Sequence, residues 1–146
     1  MLRNLRHGLI MWIPFALLCT AAGFGVELVE GSKITITAYF GFRNIGTGFL
    51  LMIWFAAVLV YPITFLPLSL LISETANRLT ARVFIYTLIS GLSGLWYFNS
   101  AYETYWQQYA LNSTSAVLFF GAAGMLYALL DHYLFNHPKA FRGEKE

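Results

Sequence analysis

Residues 48–72 read GFLLMIWFAAVLVYPITFLPLSLLI, a run without a single charged side chain. A helix needs about 20 predominantly apolar residues to cross the hydrocarbon core of a bilayer. Three further apolar stretches of similar character cover residues 9–26, 83–97 and 115–135. The sequence therefore predicts an all-α integral membrane protein, with residues 1–146 forming one membrane domain built as a four-transmembrane-helix bundle.

The composition supports this prediction and excludes a separate water-soluble domain. Hydrophobic residues make up 58% of the chain and charged residues 11%, whereas roughly a quarter of the residues of a soluble domain are charged. The segments outside the apolar stretches are too short to bury a core of their own. The single cysteine, Cys19, excludes an intrachain disulfide.

The basic residues predict the orientation of the four spans. Most of them precede span one, separate spans two and three or follow span four: Arg3, Arg6, Arg78, Arg82, Lys139, Arg142 and Lys145. Only Lys33 and Arg43 lie on the other side, between spans one and two. The positive-inside rule then predicts a cell-membrane protein with both termini, including the tail 136–146, in the cytoplasm. The lipid bilayer is the expected environment of the protein. Nucleic acid is not an expected partner, because Glu144 and Glu146 interrupt the basic tail.

Span one has a second interpretation. Arg3 and Arg6 precede its apolar core, which ends in small residues at Thr20, Ala21 and Ala22, as in a cleaved secretory signal. Cleavage would leave three spans.

The two external connections are patterned differently from the spans. Residues 34–37 alternate apolar and polar side chains, which predicts a short β-like or irregular loop over residues 33–42. In the second connection Tyr102, Tyr105, Trp106 and Tyr109 recur at the spacing of one helical face. We expect either a short interfacial helix there or an outward continuation of span three, used for membrane anchoring or as a surface for a partner.

A few polar or helix-breaking positions lie within the spans. Pro62 and Pro67 each remove a backbone donor, so span two should bend or open, and the freed carbonyls of Val58 and Ile63 could coordinate an ion. Asp131 lies near the cytoplasmic end of span four, and an acid inside a span is by default a functional candidate. Its expected partners are Arg78, Arg82, His132 or His137. Ser90 is a further candidate polar position, and Glu27 could pair with Lys33 or Arg43.

Small residues predict where helices pack closely. Gly91 and Gly94 share one side of span three, and Gly121 and Gly124 share one side of span four. In lipid, such faces let helix backbones approach closely. They suit either the interior of the bundle or the seam of a homodimer.

No motif for catalysis, cofactor binding or metal coordination is present, so no residue is assigned to any of these roles. The favoured function is therefore a non-enzymatic accessory, assembly or immunity-type protein that packs against a membrane partner. The alternative is a small oligomeric channel or transporter that uses the Pro62 and Pro67 break and Asp131.

The segment FLPLSLL at residues 65–71, which closes span two, and the four-span plan resemble uncharacterised small four-span membrane proteins of Bacillus-type bacteria. The resemblance implies a membrane location and this architecture, and it implies no activity.

Overall fold

The computed structural model describes residues 2–75 and 78–136, and within them the chain is helical and contains no strand. The elements are α1 (Leu2–Val29), a 3-10 turn (Gly31–Lys33), α2 (Phe42–Ile45), α3 (Thr47–Ile63), α4 (Phe65–Thr75), α5 (Leu79–Tyr102) and α6 (Ser113–Asn136). Lys139, Arg142 and Lys145 of the predicted cytoplasmic tail lie outside the described residues, as does His137.

Three helical stretches, those of α1, α5 and α6, are long and apolar enough to cross a membrane. The α3–α4 pair would be a fourth if the two helices count as one span bent by 45°. Several membrane-spanning helices are thus compatible with the structure, and the four-span bundle stays a prediction.

The bend between α3 and α4 is confirmed at the proline pair. Pro62 lacks the N–H that would bond the carbonyl of Val58. The indole Nε1 of Trp12 in α1 donates to that carbonyl at 2.9 Å. A neighbouring helix, α1, therefore supplies the hydrogen bond that Pro62 cannot donate to Val58.

The expected β-like pairing in residues 33–42 is wrong, and the irregular alternative is correct. A 3-10 turn ends at Lys33 and an extended stretch follows, with Ile34 buried and the next four residues exposed. The Asn44 amide nitrogen donates to the carbonyls of Ile36 and Tyr39 at 3.1 and 2.6 Å. A side chain thus satisfies backbone groups that a second strand would otherwise bond.

Neither a separate interfacial helix nor an unbroken continuation of span three covers residues 102–109. α5 extends outward as far as Tyr102, and consecutive turns follow over residues 103–110. The Tyr102 carbonyl accepts from the N–H groups of both Tyr105 and Trp106 at 2.9 Å, and Ala110 has a φ of 48°. This left-handed backbone conformation, which is uncommon for a residue other than glycine, turns the chain before α6 begins.

Helix α1 lies between the other elements. It packs against α6 on one side and against α3 and α4 on the other, while α5 packs mainly on α6. In the described part of the chain, no substantial packing joins α3 to α5. The helices therefore form an incomplete ring.

The α5–α6 contact is close because glycines face neighbouring backbone. A Cβ added at Gly124 would lie 2.5 Å from both the Tyr86 carbonyl oxygen and the Ser90 Oγ, and one at Gly94 would lie 2.6 Å from the Ala116 carbonyl oxygen. Gly121 is less tightly packed, since its nearest neighbour would be the Thr87 methyl at 3.8 Å. The glycine faces of α5 and α6 thus meet each other within the chain.

We expect Gly124→Ala to destabilise the protein by about 1–3 kcal/mol, because the new methyl group would force backbone apart. Gly121→Ala is the matched control on the same helix and should change stability little. The measurement is unfolding of the purified protein in detergent as SDS is added. Equal stability of the two variants would contradict the close α5–α6 packing.

Candidate functional site

The gap in the helix ring forms a lateral groove of about 960 Å³. It lies between α3–α4 and α5, with α1 and α6 contributing Phe15, Cys19 and Phe120. At the end of the groove that the sequence predicts to face the cytoplasm, called the inner end here, Phe65 of α4 stacks on Tyr86 of α5, with the ring centroids 6.3 Å apart. At the outer end Tyr39, Phe40 and Tyr105 border it. The groove is apolar and partly open to one side of the molecule.

Small side chains are frequent in the groove wall. They come from α3, α5 and α6 and are Ala56, Ala57, Ser90, Ser93, Ala101, Ala123 and Gly124. The Ser93 hydroxyl donates to the Ile89 carbonyl at 2.9 Å, and that of Thr64 donates to the Val60 carbonyl at 2.8 Å. Because these hydroxyl protons are bonded within their own helices, the groove wall is mainly apolar.

A buried ionic cluster lies at the inner end of the structure. Arg82 Nη1 donates to Asp131 Oδ2 at 3.0 Å, and His7 Nε2 lies 2.8 Å from Asp131 Oδ1. Asp131 and Arg82 are both 2% exposed. The Phe135 ring covers the cluster, with its centroid 5.2 Å from the Arg82 guanidinium carbon and 5.5 Å from the His7 ring. The cluster joins α1, α5 and α6.

Of the partners that the sequence suggested for Asp131, Arg82 is hydrogen-bonded to it in the structure. His7 is an additional partner. His132 instead bonds Asn136 at 3.0 Å. His7 is 124 residues from Asp131, so no local spacing could have identified it. Asp131 does not line the groove.

A second buried polar cluster centres on Glu27 at the outer end. The hydroxyls of Tyr39 and Tyr102 donate to Glu27 Oε2 at 2.7 and 2.9 Å, and the Phe42 N–H donates to Oε1 at 3.0 Å. Burial raises the pKa of the Tyr39 phenol far above its ordinary value of 10, so this hydroxyl keeps its proton. The expected pairing of Glu27 with Lys33 or Arg43 is wrong, because phenols and a backbone donor surround the carboxyl group.

Lys33 pairs with the neighbouring Glu30. Lys33 Nζ donates to Glu30 Oε2 at 2.7 Å, and the same oxygen accepts from the Asn112 N–H at 2.9 Å. Ser115 Oγ donates to Oε1 at 2.8 Å. Glu30 therefore ties the end of α1 to the start of α6. Sequence reasoning missed this residue, although its position three residues before Lys33 was a usable signal.

The remaining sequence candidates are distributed over both ends and the groove. Ser90 and Gly124 border the groove, and Gly91, Gly94 and Gly121 lie in the α5–α6 contact. Tyr102 is buried in the outer cluster, Tyr105 and Tyr109 are half-buried, and Trp106 is exposed. The structure thus does not gather them into one site.

Within residues 2–75 and 78–136, no group of three His, Cys, Asp or Glu side chains is arranged to hold a metal ion. No family model, curated protein or solved structure matches this chain.

Loss of the Asp131 charge should be strongly destabilising, because Arg82 would remain buried beside a neutral group. We expect Asp131→Asn to cost about 3–5 kcal/mol, and Asp131→Leu combined with Arg82→Leu to cost less than either single leucine variant. The measurement is a double-mutant cycle of SDS unfolding. Additive effects of the two leucine substitutions would contradict the buried pair.

The hydrogen bonds of the Glu27 cluster should be disrupted if a side chain occupies the space of the Glu27 carboxyl group. A Cβ at Gly31 would overlap the Glu27 carboxyl group, whereas one at Gly48 would meet nothing within 4 Å. We therefore expect Gly31→Ala to loosen the outer loop and to accelerate trypsin cleavage after Lys33 and Arg43. Gly48→Ala is the control, and cleavage rates that match in the two variants would contradict the arrangement.

Proposed function

We propose that this chain is a multi-pass cell-membrane protein with both termini in the cytoplasm. Its function is that of a non-enzymatic accessory protein, which holds a transmembrane helix of a partner protein in the lateral groove. The observation that carries the proposal is the unfilled position in the helix ring between α3–α4 and α5.

The outer surface of the helices supports the membrane location. Large apolar side chains are turned away from the core on every long helix, including Ile13 at 71%, Ile63 at 77% and Leu118 at 66% exposure. An apolar surface of this extent is costly in water and is normal against lipid. The basic residues at the inner connections support the proposed orientation.

The length of the groove favours a helix over a lipid chain. Its wall follows the bent α3–α4 pair from Phe49 to Leu68. At about 1.5 Å per residue, this is roughly 28 Å along the helices. The hydrocarbon core is about 30 Å thick, so one lipid chain reaches only its midplane, whereas a transmembrane helix runs the full distance.

The composition of the wall also favours a helix. Ala56, Ser93 and Ala101 line it on facing sides. Small residues allow helix backbones to approach closely, and close van der Waals packing is what drives helix association in lipid. A partner helix inserted here would complete the ring.

The channel or transporter alternative has less support. Asp131 is held by Arg82 and His7, and the carbonyl freed by Pro62 already accepts from Trp12. Asp131 and the Val58 carbonyl therefore both have partners within the chain.

Site-specific photo-crosslinking in cells tests the proposal. Met52 and Leu51 are adjacent on α3 and are 52% and 57% exposed, but only Met52 lines the groove. We expect a photoreactive residue at position 52 to form a discrete protein adduct, with the cross-linked site inside an apolar segment of about 20 residues. Position 51 is the matched control and should form mainly lipid adducts.

A groove-filling substitution completes this test. Ala56→Trp should lower the adduct yield at position 52 several-fold without changing the abundance of the protein. Leu59→Trp, which is on the exposed side of α3 outside the groove, should not. Equal yields at positions 51 and 52, adducts with lipid alone at position 52, or adducts with a second copy of the chain would each overturn the proposal.

A further inference from the structure

A second, polar pocket of about 470 Å³ lies at the outer end of α5. Its lining includes two indoles and several polar side chains: Trp96, Asn99, Ser100, Tyr102, Glu103 and Trp106. Asn99, Ser100 and Glu103 are exposed, as are Trp96 and Trp106 at 71% and 47%. The pocket is therefore accessible from outside the helix ring.

Three features of this pocket favour a positively charged group. Glu103 contributes a carboxylate. α5 ends at Tyr102, so the negative end of its helix dipole lies within the pocket. The faces of indole rings attract ammonium and guanidinium groups. No Lys or Arg lines this pocket among the described residues, and Lys33 is bonded to Glu30.

The pocket adjoins the lateral groove, because Trp96 lines both. Glu103 follows Trp96 by seven residues, which is about two helical turns farther out. A helix seated in the groove would therefore bring the side chain at its outer end to the pocket.

We propose that the pocket binds a Lys or Arg side chain at the outer end of the docked helix. This inference rests on the proposed function and specifies its partner, a transmembrane segment with a basic residue at its outer boundary. The basic group fixes how deeply that helix sits in the groove. It also excludes helices that end in an acid, because Glu103 would repel them.

Reconstitution with designed peptides tests the inference. The full-length protein would carry Ala56→Cys in a Cys19→Ala background, since both positions line the groove. The probes are two 20-residue Leu/Ala transmembrane peptides with a central cysteine, one ending in a single Lys and the other in a single Gln. In phosphatidylglycerol vesicles we expect the Lys peptide to form the disulfide cross-link at an about threefold to tenfold lower concentration.

Glu103→Gln should abolish this difference between the peptides. Thr104→Ala, at an exposed neighbour outside the pocket, is the matched control and should preserve it. Equal cross-linking of both peptides to the protein with Glu103 would overturn the inference and leave the docking proposal standing. Absence of cross-linking with either peptide would contradict docking itself.

Vesicles that contain phosphatidylcholine distinguish a lipid headgroup from a peptide side chain. The preference for the Lys peptide should persist in these vesicles if the pocket binds the basic side chain of the partner helix. A preference that disappears when choline headgroups are present would assign the pocket to lipid and would overturn the inference.

Discussion

The contacts made by α1 hold the rest of the structure in place. Apolar surroundings offer no water to a buried polar group, so each such group needs a partner inside the protein. α1 supplies these partners along its length: His7 for Asp131, Trp12 for the carbonyl that Pro62 leaves open, and Glu27 for two tyrosines. Because the bonds run to α3, α5, α6 and the outer loop, α1 fixes all of them relative to one another.

The two polar clusters and the groove are consequences of the same arrangement. Polar bonds and glycine contacts bring α5 and α6 together and hold both against α1, whereas α3 packs mainly on α1 and meets α6 through the Tyr61 and Tyr127 hydroxyls at 3.2 Å. The groove therefore lies between two rigid walls, α3–α4 on one side and α5–α6 on the other, and α1 joins them. Its inner end is closed by the contact of Phe65 with Tyr86, and its outer end is bordered by the loop that Glu27 holds. A binding surface between fixed walls loses little conformational entropy on association.

Features governed by local chemistry could be predicted from the sequence. The apolar stretches, the bend at Pro62 and the close approach at Gly124 each follow from the residue itself. Contacts between distant helices could not be predicted, because they depend on which helices become neighbours. Trp12 bonding Val58 is one example. For the outer loop the alternating pattern left a β-like and an irregular form open. The irregular form holds because only Ile34 of the two isoleucines is buried and the Asn44 side chain bonds the backbone.

The long sequence separation of the polar contacts has a consequence for synthesis of the chain. Glu27 meets Tyr102 across 75 residues, and His7 meets Asp131 across 124. A nascent chain carrying only α1 and α3 has neither contact. Until α5 and α6 emerge, Glu27 can bond only Tyr39 and Phe42, and His7 must be hydrated or sheltered. Among the described helices, α6 is thus the one that completes these contacts, and a ribosome that stops before it leaves His7 of the first helix without Asp131.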